Sequence, residues 1–353
     1  MKSVVKIGNR PVGAGQPCFI VAEAGVNHNG DPALAKKLIA IAAEAGVDAV
    51  KFQKRTNEDI LTKEALNSPY LKPTALAPTY GEHRAKLELS EDVWRELNDF
   101  ARSKGLIFSA SVWDPKSADF VQGLDVPYFK IPSADLTNLP LLEHVAKKGR
   151  PLMVSTGMST MEEIDEAVST IKKYNDQLIL LHCVSNYPCL DEEVNLKAIK
   201  KLKERYGLPV GYSSHDKGVA IPAVAVALGA DVIEKHFTID RTLIGPDHAA
   251  SLEPQGLEKM IKYIRHSESA LGTGEKVVSA AEKEVRIRLA KSIVAKTSIT
   301  KGTLITAEML AVKGPGNGLK PKYLTELYGK IAPFGITEDT LIPLEALNWP
   351  TSV

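Results

Sequence analysis

The stretch PLMVSTGMSTMEEIDEAVSTIKKYNDQLILLHC, residues 151–183, contains one complete strand–helix–strand repeat. Its two ends, PLMVS and LILLH, are short apolar runs of the kind that form buried parallel strands. Between them, Thr160 and Glu163 have the spacing of a capping box, which predicts the start of a helix. A buried strand, a helix and a second buried strand predict a right-handed βαβ unit.

The same type of apolar run occurs eight times between residues 18 and 236. Eight strands alternating with helices predict an α/β fold, a closed (β/α)₈ TIM barrel. An open doubly wound sheet is less favoured because no GxGxxG follows the first strand. The predicted strands are CFIVA (18–22), VDAVKF (47–52), LIFSA (106–110), VPYFKI (126–131), PLMVS (151–155), LILLH (178–182), LPVGY (208–212) and DVIEKH (231–236). The predicted helices are Asp31–Ala45, Ser90–Lys104, Thr160–Tyr174, Asn195–Tyr206, Gly218–Leu228 and Pro254–Leu271.

Changes in composition and in the pattern of apolar residues along the chain predict the domain boundaries. Residues 1–271 carry the barrel pattern, with a proline-containing insertion at 54–89 that is predicted to be a long loop, a common place for a lid. Residues 272–291 are charged and lack a strong apolar period, so we expect a linker there. Residues 292–353 return to short β-like runs with turn signals, which predicts a small β-rich domain.

The overall composition excludes several classes of protein. Lys plus Arg is 44 and Asp plus Glu is 43, so the net charge of +1 gives no electrostatic basis for binding nucleic acid or a membrane surface. The longest uncharged apolar stretch, Val219–Ala230, is too short to span a bilayer. No signal peptide is visible, and Cys18, Cys183 and Cys189 form no CxxC pair. We therefore expect a protein of the cytoplasm, kept in a reducing compartment.

Polar side chains stand at the C-terminal end of nearly every predicted strand. In a barrel of this kind, catalytic residues come from these strand ends. Burying so many polar groups without partners would cost roughly 1–3 kcal/mol each, so we expect them to converge on a site for a polar ligand. They include Glu23, Lys51, Gln53, Lys130, Ser133, Asp135, Ser155, Ser185, Tyr187, Ser213, His215, Glu234 and His236.

Two of these residues, Lys51 and Lys130, predict a site for an anion. Two cations among several hydroxyl groups are suited to a ligand that carries both a phosphate and a carboxylate. The alternative is that the lysines pair with Glu23 and Asp135. The hydroxyl groups of the predicted anion site belong to Ser133, Ser155 and Ser213.

Two histidines at the ends of adjacent strands, His215 and His236, are candidates for sharing a divalent metal. Two imidazole ligands leave coordination positions open for water and substrate, as a catalytic Lewis acid needs. Their spacing is not a local motif such as HExxH, and two histidines satisfied within the barrel are an equally good interpretation.

The ordered series of motifs strongly resembles the bacterial sialic acid synthases over essentially the whole chain. The tail VKGPGNGLKPKYLTELYGK (312–330) resembles the C-terminal antifreeze-like (SAF) domain of these enzymes. The motifs of the barrel are FIVAEAGVNHNG (19–30), VKFQ (50–53), FKIPSAD (129–135), STGM (155–158), LLHC (180–183), GYSSH (211–215), EKHFT (234–238) and GPDHAASLEP (245–254).

The resemblance implies a transferase that forms a C–C bond. Enzymes of this family condense phosphoenolpyruvate with an N-acetylated amino sugar such as N-acetylmannosamine, giving a nine-carbon 2-keto-3-deoxy sugar acid and phosphate by C–O cleavage. They need a divalent metal, Mn²⁺ or Mg²⁺, which polarises the sugar aldehyde. They are domain-swapped homodimers, in which the antifreeze-like domain of one subunit covers the barrel mouth of the other.

The resemblance also implies a role for each matched residue. It gives His215 and His236 as metal ligands and Glu23 as the essential acid/base carboxylate. The residues matching those that bind phosphoenolpyruvate are Lys51, Lys130, Ser133, Ser155, Ser185 and Ser213. The residues matching those that contact the sugar are Gln53, Asp135, Tyr187 and Asp247.

Two departures from the family pattern leave the acceptor sugar open. The SAF-domain arginine that touches the N-acetyl group in this family falls at Gly314, and Asp135 stands where some members have Glu. The acceptor is then N-acetylmannosamine, a diacetamido-trideoxy hexose that gives legionaminic or pseudaminic acid, or another aldose.

Other readings of the chain differ in the chemistry they need. A related synthase making a seven- or eight-carbon acid would not need the antifreeze-like tail, and a Schiff-base aldolase would not need the histidine pair. A non-catalytic role, as a surface-polysaccharide protein or an ice- or protein-binding module, is the alternative of a different class. Of these, the surface-polysaccharide role is the one that Gly314 favours.

Overall fold

The computed structural model describes residues 3–351. The chain forms two compact units, Met1–Gly272 and Thr273–Val353, called here the barrel unit and the C-terminal unit.

Eight parallel strands of the barrel unit close into a barrel, which confirms the predicted (β/α)₈ fold. Each strand pairs with its neighbours in chain order, and the last strand returns to pair with the first. An antiparallel hairpin of two strands, β1 (Val4–Ile7) and β2 (Arg10–Gly13), precedes the barrel. The barrel strands are β3 (Phe19–Gly25), β4 (Ala49–Lys54), β5 (Ile107–Val112), β6 (Phe129–Ile131), β7 (Leu152–Ser155), β8 (Leu178–Cys183), β9 (Val210–Ser214) and β10 (Val232–His236).

The helices of the barrel unit include all six that the sequence predicts, with ends that differ by at most two residues. Two more, α6 (Pro115–Gly123) and α7 (Leu139–Ala146), are short, and each has a proline within its first two residues after a capping Asp or Asn. The helices are α1 (Pro32–Ala45), α2 (Asn57–Ile60), α3 (Lys63–Asn67), α4 (Tyr80–Ala85), α5 (Glu91–Ser103), α6 (Pro115–Gly123), α7 (Leu139–Ala146), α8 (Met161–Lys172), α9 (Lys197–Tyr206), α10 (Ala220–Ala227) and α11 (Pro254–Leu271).

The helix ends follow the capping signals in the sequence. The Asp31 side chain accepts a hydrogen bond from the Ala33 amide at 2.8 Å and starts α1, and Gly46, at φ 80°, ends it. The predicted capping box of α8 is present: Glu163 accepts from the Thr160 amide at 2.7 Å, and the Thr160 hydroxyl accepts from the Glu163 amide at 3.3 Å.

The insertion at residues 54–89 is more ordered than the sequence predicts. It contains three short helices, α2 to α4, so the prediction of a long loop is wrong. The reason lies in local capping: Thr79 and Glu82 form a capping box that starts α4, and Thr62 caps α3. Helices of four to six residues carry too little apolar periodicity to be recognised from the sequence.

The apolar packing closes one end of the barrel. Val5, Ile7 and Val12 of the hairpin pack against the residues inside the barrel near the N-terminal ends of its strands, such as Phe19 and Val232. A larger core lies between the strands and the surrounding helices. Because the N-terminal end is filled with apolar side chains, the polar residues farther along the strands line the opposite, C-terminal end.

The C-terminal unit has its own small core. Strands β11 (Ser292–Ala295) and β12 (Leu310–Lys313) pair antiparallel, and buried side chains from Ile293 to Trp349 pack around them. The segment predicted as a linker contains a ten-residue helix, α12 (Ala280–Leu289), whose Ile287 carbonyl accepts a hydrogen bond from the Gly316 amide at 2.7 Å.

None of the helices within residues 3–351 is long and apolar enough to cross a membrane.

Candidate active site

A cavity of about 320 Å³ lies at the C-terminal ends of the barrel strands. All but one of the predicted site residues line it, although they come from seven different strands or the loops that follow them. The lining set is Glu23, Lys51, Gln53, Lys130, Ser133, Ser155, Ser185, Tyr187, Ser213, His215, His236 and Asp247.

Asp135 is the exception. It lies in a short 3₁₀ turn after β6, one residue beyond the lining residue Ala134, and it does not line the cavity. Its carboxylate accepts a hydrogen bond from the Asn138 side chain at 3.0 Å. Asp135 does follow the end of a barrel strand, as the sequence pattern indicates, but the 3₁₀ turn directs its side chain to Asn138 and not into the cavity.

Four buried charges form the floor of the cavity. Strand register sets Glu23 beside Lys51 on one neighbouring strand, and the two side chains form an ion pair. Lys51 also lies 3.7 Å from Glu234, and Lys130 lies 3.4 Å from the same carboxylate. Lys51 therefore has the Glu23 partner considered from the sequence, whereas Lys130 pairs with Glu234 and not with Asp135.

The surroundings shift the pKa values of these charged groups in different directions. Burial raises the pKa of Glu23 to about 7, against the opposing effect of Lys51. Burial would also raise the pKa of Glu234, but Lys130 and Lys51 together hold that pKa below its ordinary value. Burial lowers the pKa of Lys130 despite the nearby Glu234. Two neighbouring carboxylates with separated pKa values are typical of a site that moves protons.

Hydroxyl and amide groups lie beside the lysines. The Gly157 amide donates to Ser133 Oγ at 3.1 Å, and Ser213 Oγ donates to Glu234 at 3.1 Å. Ser155 Oγ is buried and has no hydrogen-bond partner among the described residues. A buried hydroxyl without a partner beside two ammonium groups is typical of a binding site for an oxyanion.

The two histidines face each other across the cavity, with ring centroids 5.7 Å apart. His215 Nδ1 donates a hydrogen bond to the Val184 carbonyl at 2.7 Å, which leaves Nε2 as the nitrogen that would bind a metal. His236 Nδ1 is buried without a hydrogen-bond partner in residues 3–351 and lies 3.9 Å from Asp247 Oδ2. The Tyr187 ring packs against His215 with centroids 3.9 Å apart.

These two imidazoles fit a divalent metal as a pair of ligands. Burial lowers the pKa of His236 well below its usual value, which favours the neutral form that binds metals, whereas hydrogen bonds to Cys183 and the Val184 carbonyl raise the pKa of His215 against the effect of burial. No cluster of three or more His, Cys, Asp or Glu ligands occurs in the part of the chain that the structure describes. A metal held here would keep several positions for water or substrate.

The remaining predicted residues lie on one side of the histidines. Gln53 Nε2 donates to Glu23 at 3.2 Å, and its Oε1 accepts from Arg55 Nη1 at 3.3 Å. Asp247 lines the cavity next to His236, and burial raises the pKa of its carboxyl. This side offers hydrogen-bonding groups without the paired lysines, as a neutral polyol would need.

Several lining residues were not predicted as site residues. Glu234 was recognised as a strand-end residue, and its two-residue spacing from His236 was the signal that both face inward. Most of the remaining polar and aromatic ones lie in the insertion, which the strand-end rule does not cover, and Trp113 follows β5 as an aromatic side chain that a search for polar strand ends passes over. They include Arg55, Tyr70, Tyr80, His83, Arg84 and Trp113.

Comparison with known families assigns the barrel unit. The sequence pattern of the NeuB family matches residues 38–276. The chain belongs to the NeuB family. The SAF domain pattern matches residues 290–348, which agrees with the antifreeze-like tail recognised in the sequence.

Members of the NeuB family with known names match nearly the whole chain. The N-acetylneuraminate-9-phosphate synthase of Homo sapiens is 42% identical over 96% of this chain and 95% of its own length. The N,N'-diacetyllegionaminic acid synthase of Legionella pneumophila is 42% identical over 97% of this chain and 98% of its own. The structure of the N-acetylneuraminic acid synthetase of Leptospira borgpetersenii, solved with citrate, is 36% identical and covers 81% of this chain and 95% of its own, with a TM-score of 0.72.

Proposed function

We propose that this protein condenses phosphoenolpyruvate with an N-acetylated amino sugar, giving a nine-carbon 2-keto-3-deoxy sugar acid and inorganic phosphate. The observation that carries the proposal is the single cavity in which two buried lysines and several serines lie beside a histidine pair. Two relatives, each 42% identical over nearly the whole chain, are an N-acetylneuraminate-9-phosphate synthase and an N,N'-diacetyllegionaminic acid synthase, which supports this reaction here.

Phosphoenolpyruvate is proposed to bind on the lysine side of the cavity. Lys51 and Lys130 supply the positive charge, and the amide and hydroxyl groups around Gly157 supply donors for the phosphate oxygens. Charged and hydroxyl donors held on rigid strands fix the enol in one orientation. The hydroxyl groups are those of Ser133, Ser155, Ser185 and Ser213.

His215 and His236 are proposed to hold a divalent cation, with Mn²⁺ or Mg²⁺ as the candidates. When bound, such a cation supplies a Lewis acid beside the carbonyl oxygen of the acceptor. The Val184 carbonyl fixes the His215 ring, and Asp247 is close enough to orient His236. Asp247 therefore links the histidine pair to the acceptor side.

The reaction balances without a redox partner. C3 of phosphoenolpyruvate forms a bond to the aldehyde carbon of the open-chain sugar, and the aldehyde oxygen takes a proton. Water adds to C2, the C2–O bond to phosphate breaks, and C2 becomes a ketone. Glu23, whose pKa lies near 7, is proposed to carry the proton between the attacking water and the departing groups.

The acceptor sugar is proposed to lie against Gln53, Tyr187 and Asp247, with Asp135 at the edge of that surface. Gln53 donates a hydrogen bond to Glu23 and accepts one from Arg55. A sugar that contacts Gln53 would therefore also affect the position of the Glu23 carboxyl, which is proposed to transfer protons. N-acetylmannosamine and the diacetamido-trideoxy hexoses that give legionaminic or pseudaminic acid are the acceptor candidates.

We also propose that the protein is a homodimer in which the C-terminal unit of each subunit closes the barrel of the other, as the resemblance to domain-swapped synthases implies. Sedimentation equilibrium tests the dimer. A cytoplasmic location is proposed because the three cysteines are free and buried thiols, as expected in a reducing compartment.

The proposed reaction is tested by phosphate release from phosphoenolpyruvate. The protein is incubated with Mn²⁺ and each candidate sugar, and parallel reactions contain excess chelator. We expect release that requires both the sugar and the metal, with the nine-carbon acid detected by mass spectrometry. Release without sugar, or none with any acetamido sugar from folded protein, would overturn the proposal.

A further inference from the structure

The loop that carries Asp247 is held on both sides of this residue by two asparagines. Residues 237–253 connect β10 to α11 and are called here the Asp247 loop. Asn29, in the turn after β3, donates a hydrogen bond from Nδ2 to the Ile244 carbonyl at 2.8 Å. Asn27, in the same turn, contacts the loop on the other side of Asp247. The two asparagines therefore fix the loop before and after the residue that lines the cavity.

The contacts of Asn27 are buried and lead directly to the Asp247 backbone. Asn27 Nδ2 donates to Ser251 Oγ at 2.9 Å and to the carbonyl of Phe237, the residue after β10, at 2.8 Å. Ser251 Oγ in turn donates to the Asp247 carbonyl at 2.7 Å. Asn27 is 1% exposed and Ser251 is 2% exposed. Because water does not replace a buried hydrogen bond that is lost, removing this amide leaves its partners unpaired.

The turn that presents the two asparagines is held by its own backbone. The Asn27 amide donates to the Ala24 carbonyl and the Asn29 amide donates to the Val26 carbonyl, each at 2.9 Å. The side chains of both asparagines are therefore not needed to form the turn. Their contacts are instead made across the barrel, to the loop that follows its last strand.

The Asp247 side chain occupies a narrow place beside His236. Asp247 Oδ2 lies 3.9 Å from His236 Nδ1. A Cβ built on Gly25, which has φ 56°, would lie 3.4 Å from Asp247 Oδ2 and 3.3 Å from His236 Cε1. The backbone at the end of β3 thus comes close to both side chains. A small shift of the Asp247 loop would change the distance between this carboxylate and the imidazole.

We propose that Asn27 and Asn29 are positioning residues, which hold Asp247 against His236 and so act on metal and acceptor binding from outside the cavity. Neither asparagine lines the cavity. The inference rests on the proposed function, in which Asp247 contacts the acceptor and orients a metal ligand. Groups that orient a metal ligand typically change metal affinity by about 10–100-fold when they are removed.

The first test measures the Kd for Mn²⁺ by calorimetry in the full-length protein, which does not depend on turnover. In Asn27→Ala we expect this Kd to rise roughly 10-fold. The KM for the acetamido sugar should rise with it, while the KM for phosphoenolpyruvate changes much less because that substrate is proposed to bind on the lysine side. Wild-type values of the Mn²⁺ Kd and the sugar KM in Asn27→Ala would overturn the inference.

Two further variants break the same contacts at other points. Ser251→Ala removes the hydroxyl between Asn27 and the Asp247 carbonyl, and Asn29→Gly removes the other side chain at a φ of 49° that glycine adopts freely. Both should weaken Mn²⁺ binding in the same direction as Asn27→Ala. If Asn27→Ala does not fold, Ser251→Ala takes its place in each comparison.

Asn175→Ala is the matched control for loss of a buried asparagine. Asn175 is 7% exposed, and its Nδ2 donates to the Arg150 carbonyl at 2.7 Å, before the barrel strands and away from the cavity. This variant removes a bond of the same kind and should leave the Kd for Mn²⁺ unchanged. An equal rise of that Kd in Asn175→Ala would overturn the inference, because the effect would then be a general loss of stability.

A double-mutant cycle tests whether Asn27 acts through Asp247. In an Asp247→Ala background, Asn27→Ala should cause no further rise in the Kd for Mn²⁺, because the residue that it positions is absent. Effects that simply add would overturn the inference, since Asn27 would then act by a separate route.

The outcomes also separate this inference from the proposed reaction. A wild type that binds Mn²⁺ and turns over an acetamido sugar, with variants that match it in both, overturns the positioning role alone. A wild type without metal-dependent turnover of any acetamido sugar overturns the reaction and, with it, the inference that rests on it.

Discussion

The Gly157 amide donates a hydrogen bond to Ser133 Oγ at 3.1 Å, and a Cβ built on Gly157 would lie 2.7 Å from the same oxygen. It would lie closer still to Ser185 Oγ. Glycine at this position therefore lets the backbone approach two hydroxyl groups that line the lysine side of the cavity. This loop connects β7 to the site, so its geometry bears directly on the binding of phosphoenolpyruvate.

Gly157→Ala should weaken phosphoenolpyruvate binding. The new methyl group must displace both serine hydroxyls, so we expect the KM for phosphoenolpyruvate to rise roughly 10-fold or more, as for the loss of about one charge-assisted hydrogen bond. Steady-state kinetics at saturating sugar measure this. Gly123→Ala is the control, because a Cβ there meets no atom within 4 Å. An unchanged KM in Gly157→Ala would remove this loop from the phosphate site.

Glu23→Gln should remove turnover but not binding. The amide keeps the shape of the side chain, while the carboxyl that is proposed to carry protons is lost. We expect kcat to fall by about 10²–10⁴-fold, with phosphoenolpyruvate still bound in calorimetry. Glu204→Gln on the exposed face of α9 is the control for loss of one carboxylate. Substantial turnover in Glu23→Gln would exclude Glu23 from the proton transfers.

The double substitution His215→Ala, His236→Ala should remove the bound metal. Both imidazoles are lost, and neither Asp247 nor Tyr187 alone replaces them. We expect metal content, measured by mass spectrometry after dialysis against Mn²⁺, to fall to background. His266→Ala on the surface of α11 should bind metal as the wild type does. A double variant that keeps its metal would place the ion elsewhere.

Lys235→Met should destabilise the fold. Lys235 alternates with Glu234 and His236 along β10 and faces away from the cavity, where it pairs with Asp216 at 3.4 Å; both side chains are fully buried. Its loss leaves a buried carboxylate without a cation, and the free energy of unfolding should fall by about 3–5 kcal/mol.

Urea denaturation measures that loss of stability. Lys200→Met on α9 is the control, because Lys200 is 78% exposed and its pairing with Glu204 contributes little. A Lys235→Met variant as stable as the wild type would contradict this prediction and would indicate that the hydroxyls of Tyr212 and Ser214 are enough to stabilise the Asp216 carboxylate.

The order and number of the strands could be predicted because each is a short apolar run between helical patterns. Their C-terminal ends were predicted to the residue for β6, β7 and β10 but fell one to three residues short for the other five strands. The first strand was predicted to stop at residue 22 but continues to Gly25, because Glu23 pairs in register with both Lys51 and His236. The prediction ended this strand before Glu23 because the residue is charged, whereas in the barrel Glu23 is the position where the strand enters the cavity.

The position of catalytic residues at the C-terminal ends of barrel strands also explains which site residues could be predicted from the sequence. Lys51, Lys130 and His236 were predictable because a closed barrel brings strand ends together whatever the intervening sequence. Arg55 and Arg84 belong to an insertion of short helices, whose packing onto the barrel depends on contacts such as that of Arg84 with Asn57. Such contacts leave no periodic signal in a single sequence.

The most direct measurement uses phosphoenolpyruvate with ¹⁸O in the oxygen that joins C2 to phosphorus. The labelled compound is incubated with the protein, Mn²⁺ and the preferred acetamido sugar, and the released phosphate is examined by mass spectrometry. C–O cleavage after condensation predicts that the label leaves with phosphate, only when the sugar is present. Unlabelled phosphate, or release that does not need the sugar, would contradict the proposed condensation.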